Sequence, residues 1–126
     1  MPSGVPVAGD GPGGDRAIQD VLDRSSPRDL EPALERRLVA LATRVWKADV
    51  TGTGRSQWPA YFSDPSPPRA PYTHVRVQAA IARQGAGGRV RVDLVWAGAG
   101  PSGEAADGRP ARVLLHKTDS TWEPLR

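Results

Sequence analysis

The 126-residue chain contains no cysteine. That excludes disulfides, thiolate metal sites and a cysteine nucleophile. Histidine is nearly absent too: His74 and His116 are the only two, and no group of carboxylates joins either at ligand spacing, so no metal site is expected. A Gly-x-Ser-x-Gly nucleophile elbow is missing. Gly52-Thr53-Gly54 lacks the third glycine and the preceding strand of a nucleotide-binding loop, and reads instead as the cap and turn that end a helix. No motif calls for a cofactor. No apolar run approaches the roughly 20 residues needed to cross a bilayer. Nor does a basic segment lead into an apolar core as in a signal peptide. The expectation is a cytoplasmic protein, with an exported domain cut from a membrane anchor as the alternative.

Lysine is scarce, at two residues against fifteen arginines, and Ala, Gly and Pro are abundant. This composition reads as the codon bias of a high-GC bacterial genome before it reads as chemistry. The net charge is +3, unevenly spread: residues 1–66 carry eight basic and nine acidic side chains, residues 67–126 nine and five. The excess permits an anionic partner without requiring one.

What is present is organised around residues 89–96, Arg-Val-Arg-Val-Asp-Leu-Val-Trp. Val90, Val92, Leu94 and Trp96 alternate with charged residues, the period of a strand with one buried and one solvated face. Residues 72–83 and 111–117 show the same period, so an antiparallel sheet follows, with this strand central. Val75, Val77, Ala79 and Ile81 are expected to point inward. Gln84–Gly88 is a glycine-rich hairpin turn, Gly98–Pro110 a long loop of small residues, and Thr121–Trp122 part of a short last strand.

Two helices precede the sheet. Asp15 caps a short one carrying Ile18, Val21 and Leu22. The second is expected over residues 27–48, with Ser26 at the cap, Pro27 in the first helical position and Pro32 tolerated within the first turn. Its stripe is Leu30, Leu34, Leu38, Leu41, Val45 and Ala48, with Arg36, Arg37, Arg44 and Lys47 off it. Residues 1–14, rich in Gly and Pro, are expected to be disordered. Residues 15–126 then form a single α+β domain, one long amphipathic helix and a short N-terminal one packed on a curved antiparallel sheet of three to four strands.

Candidate chemistry is sparse. Asp49 and His74 would serve as a general-base pair if the fold joined them. Trp58, Tyr61 and Phe62 stand between helix and sheet, where rings either close the end of a core or anchor a partner. Arg76, Arg89, Arg91 and Arg112 lie on the outward sheet face and would form a basic patch in the right register.

Val90–Trp96, Ala111–Leu115 and Ser120-Thr121-Trp122-Glu123-Pro124, behind an amphipathic helix and an aromatic–proline segment, resemble the nuclear transport factor 2-like (cystatin-like) α+β fold. Soluble domains of secretion and conjugation scaffolds end similarly. The resemblance implies an assembly or binding module, and in other relatives a ligand cone or an Asp–His pair. It covers the last 55 or so residues and the long helix, through generic motifs, and transfers no functional residue.

The expected function is therefore non-catalytic binding or assembly through protein–protein contacts, including self-association, with Trp58 and Tyr61 as exposed anchors and Arg76, Arg91 and Arg112 at the rim. The alternatives are an enzyme or ligand carrier with an aromatic-lined pocket, and nucleic-acid binding through the basic sheet face.

Overall fold

The computed structural model describes residues 11–63 and 70–126. Its elements are α1 (Gly11–Ser25), α2 (Pro32–Thr51), β1 (Thr73–Gln84), β2 (Val90–Ala99), β3 (Ala105–Thr118) and β4 (Thr121–Leu125). The strands form one open antiparallel sheet in the order β1-β2-β3-β4. With two helices packed on it, the arrangement is α+β, as the sequence period implies. β2 alternates buried and half-buried over residues 90–96, and Val90, Val92, Leu94 and Trp96 face the core. No helix among the described residues is long and apolar enough to cross a membrane.

α2 lies across this inner face and touches all four strands. Its buried seam is Leu38, Ala42, Val45, Trp46 and Ala48, while Leu34 and Leu41 flank it half-buried. The seam is thus rotated from the expected leucine stripe, because Trp46 fills the space against Trp96, ring centroids 5.3 Å apart. The helix ends where Gly52 takes a left-handed conformation (φ 81°) and its N–H donates to the Ala48 carbonyl at 2.9 Å.

The start of α2 differs from the expectation. Glu31, not Ser26, is the cap: its carboxylate accepts from the Ala33 and Leu34 N–H groups at 3.1 and 3.0 Å, and Pro32 takes the first helical position. Residues 26–30 are instead drawn to the sheet edge. The two amide donors hold the Glu31 carboxyl below its ordinary 4.5, helped by Arg36 and Arg37. A lowered folded-state value stabilises the fold above pH 4.5, and the contribution is lost as pH falls through the lowered value. Wild type is therefore expected to melt above Glu31→Gln at neutral pH, with the gap closing in acid. Parallel thermal melts check this.

β1 carries a bulge between Val77 and Ala79, which reverses side-chain parity. Ala80 and Ala82, opposite Leu94 and Val92, join the α2 face. Ala79 and Ile81, expected inward, pair with Val95 and Asp93 and face the other way. They are buried all the same. The helix α1 packs on β1, and its Leu22 sits with Asp93, Val95, Pro110 and Arg112 on that second face. Val21, expected in the α1 stripe, is 52% exposed. α1 begins within the segment expected to be disordered; residues 1–10 lie outside the described ones.

The free edge of β1 is closed by side chains in place of a strand. The Gln19 amide accepts from the Ala80 N–H and donates to the Ala80 carbonyl, both at 2.9 Å. Glu35 accepts from Ala82 N–H (3.1 Å) and Asp29 from Gln84 N–H (3.0 Å). Three successive outward amides are thereby satisfied, and the edge from Ala80 to Gln84 is closed to pairing. Arg83, 2% exposed, locks the arrangement. Its guanidinium donates to Glu35 at 2.7 Å, to the Ala82 carbonyl and to the Ser26 carbonyl, joining β1, α2 and the connector.

The turn between β1 and β2 is the expected hairpin, with Gly87 and Gly88 at positive φ. The expected loop over Gly98–Pro110 is mostly strand: only residues 100–104 turn, closed by Gly100 N–H to Glu104 O at 2.7 Å. Small residues there mark close packing. A Cβ on Gly98 would meet Val75 Cγ1 at 2.8 Å.

Candidate functional site

The segments that carry Asp49 and His74 meet where Tyr72 N–H donates to Val50 O at 2.9 Å. No hydrogen bond joins their side chains among the described residues. Asp49 pairs with Arg55 at 3.5 Å, and His74 Nδ1 faces Thr73 Oγ1 at 3.2 Å. His74 has φ 53°, in the left-handed region at the start of β1, beside a register shift. Histidine is among the residues enriched in that conformation, which gives it a backbone role. No group of three or more His, Cys, Asp or Glu among the described residues is placed to hold a metal ion.

Three of the four outward arginines of the sheet lie within ion-pair distance of an acid; Arg89 does not. Arg91 and Arg112 both reach Asp93, at 3.0 and 2.8 Å, and Arg76 pairs with Asp15 of α1. Asp93 stands opposite Arg112 in the strand register, so the cross-strand pair follows directly from the fold. Three arginines thus share two carboxylates, so the charge of this face is only partly offset, and Arg112 is 62% exposed. Gln78, 6% exposed, closes one end by donating to Asp107 (2.7 Å) and accepting from Gly108 N–H (3.0 Å).

The aromatic corner divides into two parts. Trp46, Trp96 and Tyr72 form the core portion, with Tyr72 edge-on to Trp96 at 5.1 Å. Beyond α2, a 3₁₀ turn at Arg55–Gln57 carries the chain into Trp58, Tyr61 and Phe62. Phe62 is buried; Trp58 and Tyr61, expected to be exposed, are half-buried. They are drawn in because Phe62 packs against both, at 6.5 and 4.8 Å. Arg126 covers the Tyr61 ring at 4.2 Å and Arg55 covers Phe62 at 5.1 Å. Burial raises the Tyr61 hydroxyl above its usual 10.0, with Arg126 opposing the shift. Arg126 thus covers part of the half-buried Tyr61 ring.

Trp58 keeps an open side. It floors a groove of about 470 Å³ between the last turns of α2 and the 3₁₀ turn, with Arg44, Lys47, Thr51, Thr53 and Gln57 around it. A second groove, about 410 Å³, follows an earlier stretch of α2 past Arg37, Leu41, Arg44 and Trp122. Arg44 belongs to both. The sequence reading passed over Arg37, Arg44 and Lys47 as off-stripe positions. A helix's solvated face and a helix's binding face have the same pattern, so only their pairing in three dimensions distinguishes them.

Protein-family comparison gives no match to this chain, and neither the curated proteins nor the solved structures give one.

Proposed function

We propose that the chain is a non-catalytic binding module acting through protein–protein contacts, on a nuclear transport factor 2-like plan, with the Trp58 groove as its contact. The observation that supports this most is the half-buried Trp58, held from below by Phe62 and open toward Thr53, Gln57 and Lys47. A large ring fixed in place desolvates much area at little rotamer cost, which is why tryptophan dominates interface energetics. The remaining candidates are committed elsewhere: Tyr61 to Arg126, Asp49 to Arg55, Arg91 and Arg112 to Asp93. Trp58 and its rim are the part of the expected anchor left for a partner.

The test compares wild type with Trp58→Ala and Thr53→Glu in sedimentation for self-association and in reconstitution with any co-purified protein. Thr53 is exposed, so its variant leaves the core untouched if Trp58→Ala disturbs folding. Both variants are expected to weaken association at least about tenfold while circular dichroism stays unchanged. Association of the folded variants at wild-type strength, or no association of wild type in either assay, contradicts the reading.

A further inference from the structure

Some cations among the described residues are tied to carboxylates; the others, spread over both helices and the sheet, are not. Arg28, Arg55, Arg76, Arg83, Arg91 and Arg112 each lie within ion-pair distance of a carboxylate. On the outward face of α2, Arg37, Arg44 and Lys47 have no such partner among the described residues, and all three are exposed. The acids of α2 are spent elsewhere, Glu35 on Arg83 and Arg28, Asp49 on Arg55. Positive charge therefore runs from Arg37, whose field reaches the Glu31 carboxylate, to Lys47, about 15 Å of helix. It is flanked by a tryptophan on each side, Trp122 beside Arg37 and Arg44, Trp58 beside Arg44 and Lys47.

We propose that this face docks an acidic protein segment, whose carboxylates meet Arg37, Arg44 and Lys47 and whose apolar side chain enters against Trp58. The inference rests on the Trp58 groove being the contact and names the chemistry of its partner. Charge complementarity carries it: unbalanced cations around a fixed aromatic are the arrangement in which an anionic partner gains both steering and an anchor. The state of the rings favours a protein segment over nucleic acid. Strand binding by stacking uses successive open ring faces, whereas the two tryptophans lie in separate grooves and both pack partly on the core. Of the sheet residues expected to serve an anionic partner, Arg76, Arg91 and Arg112 are partly offset by Asp15 and Asp93, and Arg89 stands apart from any tryptophan-lined groove.

The experiment titrates a fluorescein-labelled peptide of alternating glutamate and leucine into the protein and follows anisotropy at low and moderate salt. A single-stranded oligonucleotide of equal charge runs beside it. The variants are Arg44→Glu with Lys47→Glu on the helix and Arg91→Gln with Arg112→Gln on the sheet, all at sites with exposed or half-exposed side chains. Circular dichroism confirms that each remains folded. The helix pair is expected to weaken peptide binding about tenfold or more, the sheet pair less than about twofold, and salt is expected to weaken wild type far more than the helix variant. Equal losses from both pairs, or none from the helix pair, overturn the proposal. Tighter binding of the oligonucleotide than of the peptide overturns it in favour of nucleic acid. No peptide binding, with self-association that the helix pair abolishes, overturns it in favour of a second copy. If a complex is lost in Trp58→Ala and Thr53→Glu but survives the helix charge reversal, the acidic-segment inference falls and the Trp58 contact stands.

Discussion

Replacing Glu35 by alanine is expected to lower stability by about 3–5 kcal/mol, the range for removing one member of a buried ion pair. Glu35 is 8% exposed and performs three tasks. It accepts from Arg83 at 2.7 Å, satisfies the Ala82 N–H of the sheet edge at 3.1 Å, and pairs with Arg28 at 3.2 Å. Without it, the guanidinium of Arg83 stays in the interior with only carbonyls around it, and a buried charge lacking a counter-charge is costly. The expectation has an internal control. Glu35→Leu combined with Arg83→Met removes both charges, and such exchanges are often neutral, so the double variant should lose much less than the two single changes added. Urea unfolding of the four proteins measures the cycle. A single-variant loss below about 1 kcal/mol would mean that Arg83 escapes to water and does not hold β1 to α2.

Leu38→Ala is expected to cost about 2–5 kcal/mol, within the range for truncating a fully enclosed leucine. Leu38 is 2% exposed, in the middle of the seam with Ala42 and Val45. Leu41, one turn on, is half-buried beside the Trp122 groove, where water fills the space left by a shortened side chain. Leu41→Ala should therefore cost less than half as much. The two leucines are indistinguishable in the sequence stripe, and the contrast arises only from where Trp46 sets the rotation of the helix. Thermal melts of the pair decide it. Equal losses would place the seam back on the leucine stripe.

The architecture was legible wherever a periodic pattern carried large side chains. Val90–Trp96 announces both its conformation and its inward face, and the glycine signals at Gly52 and at Gly87–Gly88 fix a helix end and a hairpin. Legibility failed where side chains are small. Ala79, Ala80 and Ala82 carry no alternation, so the bulge after Val77 and its change of parity leave no mark, and Ile81 is read on the wrong face. Residues 98–110 look like a loop for the same reason, although Gly98 is there because Val75 approaches it. The start of α2 was misread because Ser26-Pro27 and Glu31-Pro32 are both plausible caps. The choice is made by β1, whose edge needs Asp29 and whose Arg83 needs the Ser26 carbonyl.

The candidate site was half legible. Trp58 and Tyr61 could be singled out as large rings outside any periodic element, but the stacking of Arg126 on Tyr61 joins residues far apart in the chain. The basic residues were sought on the strands because alternation displays them there. In the fold Asp93, standing between Arg91 and Arg112, offsets part of the charge of that face. The helix arginines had no distinguishing pattern, and their significance comes from the acids they lack as neighbours.

The central claim is that the partner-binding surface lies on α2 and the turn after it, and not on the outward sheet face. Its most direct measurement is a ¹H–¹⁵N titration of the labelled protein with the acidic peptide, following backbone amides and the indole N–H signals. The account expects the Trp58 indole and the amides of Arg44, Lys47, Thr53 and Gln57 to move together along one saturating curve, while Arg91, Asp93 and Arg112 stay in place. Shifts centred on Arg91, Asp93 and Arg112, with the Trp58 indole unmoved, would contradict it.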